Sequence, residues 1–147
     1  MKYIQKNPFL FGIGMFRRED DLKPYKDFNQ VIKEFFRALQ AEFPHVPDVK
    51  KPLLYYKILK TFNKRQPQKR FQQIIGPYAL QVLQKDETFF LTTFSGEGVE
   101  DVMDSTRATW ITMSNEQKEM VWNYLTRLLQ LSYACEQHKQ ESRKRLF

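Results

Sequence analysis

The chain is poor in the residues that staple, span or coordinate. One cysteine, Cys135, stands in 147 residues, so no intramolecular disulfide can form and nothing calls for an oxidising compartment. Glycine occurs five times, and neither Gly-Ile-Gly at 12–14 nor Gly-Glu-Gly at 96–98 has the spacing, or the Lys and Ser/Thr, of a loop that cradles phosphates. Of two histidines, His45 lies between prolines and His138 near the tail, and neither has a Cys or carboxylate at metal-ligand spacing. No cofactor, metal, catalytic residue or small-molecule substrate is expected on these grounds. The apolar run Pro8–Phe16 is too short to cross a bilayer core of about 30 Å as a helix. Arg17, Arg18, Glu19, Asp20 and Asp21 follow it, where a secretory leader would carry small residues for cleavage. Neither a transmembrane segment nor secretion is expected.

What is present is an aromatic, helix-patterned chain. Hydrophobic residues make up 41% and aromatics 15%, with thirteen Phe, against 28% charge, a composition that folds. At this length one domain buries roughly two-thirds of its unfolded surface without cross-links. Phe28, Val31, Ile32, Phe35, Phe36, Leu39 and Phe43 recur on one helical face, with Pro24 or Asp27 as the start signal and Pro44 and Pro47 as the stop. A second helix is predicted from about Lys50 to Lys64, capped by Asp48, burying some of Val49, Leu53, Tyr56, Leu59 and Phe62. A third begins at Phe71 and is kinked or split at Gly76-Pro77. Thr88–Phe94 has strand-like residues but no partner strand, so a buried crossing loop is expected. Val99, Val102, Met103, Thr106 and Trp110 mark a fourth helix. Ser114 and Gln117 form a capping-box pattern opening a fifth, whose stripe is Val121, Trp122, Leu125, Leu128, Leu129, Ser132 and Cys135.

The expectation is an all-α, single-domain bundle of about five helices. Residues 1–22 form an extended arm, because Pro8, Gly12 and Gly14 disfavour helix; residues 23–137 form the helical domain; residues 138–147 form a frayed basic tail. The arm carries Phe9, Leu10, Phe11, Ile13 and Phe16, which can pack on their own domain or contact a partner. The tail ends in Arg-Lys-Arg-Leu-Phe, compatible with a docking peptide, a nuclear localisation patch or an ordinary basic tail.

Charge is segregated. The net charge is +7, which favours acidic partners without selecting one. Between Val49 and Lys85 there are nine basic residues and no Asp or Glu, whereas from Asp86 to Val121 there are eight acidic residues and two basic. Lys57, Lys60 and Lys64 follow helical spacing, and Arg65, Lys69 and Arg70 extend the row. Two functions fit it: phosphate contact, with Tyr55 available to stack on a base, or complementarity with an acidic protein surface. The carboxylates Glu97, Glu100, Asp101 and Asp104 suit the positive end of a helix dipole and lack the ligand spacing of a calcium loop.

The segment Thr109–Ser132, TWITMSNEQKEMVWNYLTRLLQLS, resembles one in small helical proteins of nucleocytoplasmic large DNA viruses: a Trp, a capping Ser, a Glu and Lys, then a Trp-x-Tyr-Leu helix. The aromatic helix Phe28–Phe43 ending at Phe-Pro extends the likeness loosely to Phe28–Cys135. The resemblance implies a virion or an infected cell's cytoplasm or nucleus, and carries no catalytic residues over. The function expected is that of a non-enzymatic structural or interaction protein, a small virion component contacting other protein subunits. The alternative is a nucleic-acid-binding accessory protein using the basic stripe of residues 50–70.

Overall fold

The computed structural model describes the backbone of residues 9–93 and 107–146, with side chains from Leu22 to Leu91 and from Arg107 to Lys144. The described residues are mostly helical, joined by turns, without a strand. The elements are α1 (Phe9–Glu42), α2 (Lys51–Phe62), α3 (Gln66–Ile75), a 3-10 turn (Gly76–Tyr78), α4 (Ala79–Leu83), a π turn (Phe89–Thr93), α5 (107–112) and α6 (Asn115–Leu146). None of the described helices is long and apolar enough to cross a membrane.

Two long helices form the frame. Gln117 at the start of α6 donates to Glu42 at the end of α1, and Tyr124 stacks on Phe35 with centroids 5.1 Å apart, so the two run antiparallel. Their facing stripes are buried: Phe28, Val31, Ile32 and Phe35 from α1, and Val121, Trp122, Leu125, Leu128, Leu129 and Cys135 from α6. Each large apolar side chain removed from water contributes roughly 1.5–3 kcal/mol, and this packing rather than propensity holds such helices.

Two boundaries differ from the sequence expectation. The extended arm is corrected: the backbone is helical from Phe9 onward, with Pro24 inside α1. The two glycines cost only about 1 kcal/mol each, and a proline deletes a single ladder bond that the flanking turns outlast. The side chains of Phe9, Leu10, Phe11, Ile13 and Phe16 lie outside the described residues. The frayed tail is corrected as well, because α6 continues to Leu146; no Gly or Pro interrupts His138–Leu146, and Lys, Arg, Gln and Glu are good helix formers.

Local chemistry accounts for the other ends. Ser114 and Gln117 close a reciprocal box: the Gln117 amide donates to Ser114 Oγ at 3.1 Å and the Ser114 amide to Gln117 Oε1 at 2.9 Å. Asp48 does not cap α2; Lys50 holds that position without a side-chain bond, and Asp48 pairs with the Lys51 ammonium at 2.9 Å. Pro52 sits in the first turn of α2, where no intrahelical donor is lost. The split near Gly76 is as expected. A side chain at Gly76 would meet the Gln72 amide nitrogen at 2.5 Å, so glycine leaves room for Gln72, which accepts from Ser132 Oγ at 2.7 Å. After α4, Lys85 adopts φ 54°. Its amide donates to Val82 and that of Asp86 to Gln81, a Schellman ending on a non-glycine residue whose ammonium Glu119 of α6 holds at 2.8 Å.

The expected crossing loop is a π turn that buries Phe89 and Phe90. Phe90 stacks on Trp110 at 4.2 Å, and Trp110 meets Trp122 edge-on at 5.2 Å. The positions Val99, Val102, Met103 and Thr106, and the carboxylates Glu97, Glu100, Asp101 and Asp104, lie outside the described residues.

Candidate binding surface around α2

Helix α2 packs with its Leu53 and Tyr56 side, both buried. The apolar spacing of KPLLYYKILKTF serves two faces, and the core takes only one. Leu54, Ile58 and Phe62 stand at i, i+4 and i+8 on the opposite side, 57%, 55% and 81% exposed. Of the five positions from which this helix is expected to bury some, Leu53 and Tyr56 are buried, Val49 and Leu59 are half-buried and Phe62 is exposed. A sequence pattern cannot say which of two apolar faces meets the core when both are spaced for a helix.

The basic residues divide among five environments. Lys57 is exposed beside the apolar row. Lys60 and Lys64 turn toward α1 and, with Lys26, Asn29, Gln30, Lys33 and Tyr56, line a cleft of about 250 Å³. Lys60 Nζ lies 5.9 Å from the centre of the Tyr56 ring, and the Lys64 carbonyl accepts from Asn29 Nδ2 at 2.9 Å. Arg65 rests over the Tyr25 ring at 5.4 Å, its amide donating to Asn63 Oδ1 in the turn between α2 and α3. Lys69 is exposed on α3. Tyr55 and Arg70 belong elsewhere: they line an apolar pocket of about 200 Å³ with Ile32, Phe36, Leu59 and Ile75. The row expected from Lys57 to Arg70, suited to an acidic protein surface or to phosphate, is thus divided, and Tyr55 is not among the residues lining the Lys60–Lys64 cleft.

Lys26 and Lys33 on α1 were not part of the sequence reading. They occur seven residues apart, on one face of α1, so a helical projection of α1 would have found them; a count of charge by blocks, beginning at Val49, does not. Arg37 belongs to the same face, and its positive charge opposes the rise that burial imposes on the Tyr56 phenol's pKa.

Elsewhere the polar chemistry is structural. Gln68 of α3 is buried and donates to Ser132 Oγ at 2.8 Å and to Glu136 at 3.0 Å. Cys135 is a buried free thiol, its pKa pushed up to about 12 by burial first and then by Glu136 and Asp27, which suits the core position expected of it. Among the described residues no three His, Cys, Asp or Glu are grouped to hold a metal. Comparison of the chain with models of protein families, with curated proteins and with solved structures gives no match.

Proposed function

We propose that this protein is a non-enzymatic structural subunit that assembles with further copies of itself through the outer face of α2. The observation that carries this is the row Leu54, Ile58 and Phe62, three adjacent large apolar side chains more than half exposed on one helix. Single exposed apolar residues are ordinary, whereas a contiguous patch marks a contact, and aromatic side chains such as Phe62 are enriched at such contacts.

The charge around the row selects the partner. Lys57 flanks it, and no carboxylate occurs between Val49 and Lys85, whereas the segment from Asp86 to Val121 holds eight acidic residues against two basic. One copy's α2 face is complementary to the acidic segment of the next. A contact between unlike surfaces is heterologous, and it builds rings or extended arrays rather than closed dimers. That is the behaviour of a shell or scaffold subunit, in keeping with the virion setting implied by the likeness of Thr109–Ser132.

Sedimentation velocity of the full chain over a wide concentration range tests this. Mass should rise with concentration, the association should weaken as salt screens the charges, and Phe62→Asp with Ile58→Asp should leave a folded monomer. A wild-type chain that stays monomeric throughout, or a double variant that assembles as wild type does, would overturn it.

A further inference from the structure

The cleft between α1 and α2 is a separate feature from the apolar row, since Lys60 and Phe62 are two residues apart and so lie on different sides of α2. Four ammonium groups line it, from Lys26 and Lys33 on α1, Lys60 on α2 and Lys64 in the turn that follows α2. Lys26, Lys60 and Lys64 are exposed and Lys33 is half-buried, so solvent screens their mutual repulsion in part, and a counter-charge placed among them would relieve the rest. The nearest carboxylates on α1 are engaged along their own helix: Asp27 takes Lys23 at 3.4 Å and Glu34 takes Gln30 at 3.2 Å. Among the described residues none of the four lysines has a carboxylate within ion-pair distance.

Two residues of the cleft carry unsatisfied buried atoms, and one of them, Tyr56, also lines the neighbouring apolar pocket. Tyr56 is 3% exposed and Asn29 4%; both line the cleft, and the Tyr56 hydroxyl and Asn29 Oδ1 are buried without a hydrogen-bond partner. Leaving a buried hydroxyl unpaired costs on the order of 1–3 kcal/mol. A phenol O–H is a donor that suits an oxyanion. The Asn29 Oδ1 is an acceptor, suited to a lysine ammonium drawn inward and not to the anion itself. The arrangement therefore offers one neutral donor, several mobile cationic donors and an acceptor that can steady one of them. The cavity accommodates a tetrahedral oxyanion with part of what it is attached to.

We propose that this cleft is a binding site for a phosphate group, held by Lys26, Lys33, Lys60 and Lys64 with the Tyr56 hydroxyl as a short-range donor. The group arrives as a free phosphate or as part of a nucleic-acid backbone; the same donors serve both.

Inorganic phosphate titrated into the full chain at low ionic strength, followed by amide and lysine-ammonium NMR shifts, tests the site, with chloride of equal ionic strength as the control. The expected result is a saturable response confined to the facing parts of α1 and α2, weakened about tenfold or more in Tyr56→Phe and abolished in Lys26→Gln with Lys64→Gln. Tyr56→Phe removes only the unpaired hydroxyl, so without phosphate it should melt at or above the wild-type temperature. A short oligonucleotide that competes for the same resonances assigns the group to a nucleic-acid backbone; one that does not assigns it to a small phosphate, and either supports the site. A response no larger than that to chloride, or one identical in wild type and Tyr56→Phe, would overturn it.

Discussion

Trp122 and Phe62 are both large rings on apolar helical stripes, yet the structure separates them sharply, and truncating each to alanine measures that separation. Trp122 is 4% exposed on α6. It meets Trp110 edge-on at 5.2 Å and Phe90 at 5.3 Å, so truncation removes its buried area, two ring contacts and the support for the π turn. Losses for such changes run about 3–5 kcal/mol, and each aromatic pair contributes roughly 0.5–1.5 kcal/mol beyond area, which places Trp122→Ala in the upper part of that range. Against a total stability of about 5–15 kcal/mol for a domain, the variant should still fold in mild conditions. At about 4–5 kcal/mol its melting temperature should fall by roughly 8–20 °C, at about 2–4 °C per kcal/mol for a chain of this size. Phe62 is exposed, and its truncation should change stability by no more than about 0.5 kcal/mol. Urea unfolding followed by far-ultraviolet circular dichroism compares the two at dilute concentration, where association does not contribute. If the midpoints of the two variants agree, with unchanged slopes, the placement of α6 against α1 and of α2 with its Phe62 face outward is refuted.

Two further outcomes test the buried polar chemistry. Ser132→Ala removes the acceptor of Gln68 and the donor to Gln72; because Gln68 keeps Glu136 while Gln72 loses this donor, urea unfolding should show a loss of about 1–3 kcal/mol, and a loss under about 0.5 kcal/mol would mean the network does not tie α3 to α6. The Cys135 thiol, raised from 9.0 to about 12, should label with a thiol reagent at neutral pH only as fast as the protein opens. Its sign with pH follows from linkage: the unfolded thiol ionises first, so the stability of wild type relative to Cys135→Ala is constant below pH 9 and falls as pH rises from 9 toward 12. Immediate labelling of the native protein, or a difference that grows with pH, would contradict the buried placement.

The helical architecture was legible because its signals are local. The α6 stripe from Val121 to Cys135 is buried at all seven of the expected positions, and the Ser114–Gln117 box forms with both its bonds. The breaks at Phe43-Pro44 and Gly76-Pro77 also fall where the sequence places them. The errors lie where a rule about single residues was set against a long cooperative helix. Pro24 and the glycines of the first segment weaken α1 without stopping it, and a polar tail propagates α6 because each added residue gains a ladder bond once the nucleus exists.

The binding surface was less legible for a different reason. Counting charge along the chain groups Lys57, Lys60, Lys64, Lys69 and Arg70 by proximity in sequence, but a helix turns 100° per residue, so neighbours diverge and residues three, four or seven apart converge. Lys60 joins Lys26 and Lys33, which lie far away in the chain, while Arg70 leaves the group for an apolar pocket. An isolated α2 has two apolar faces, and only α1 and α3 decide which is covered: Phe28 of α1 and Phe71 of α3 meet edge-on at 5.3 Å, and together with Leu53 and Tyr56 they form the core on which α2 rests. With that side fixed, Lys60 and Lys64 are committed to the cleft and Leu54, Ile58 and Phe62 to solvent. The two candidate contacts of the molecule are therefore one packing decision, and a substitution that rolled α2 about its axis would disrupt both together.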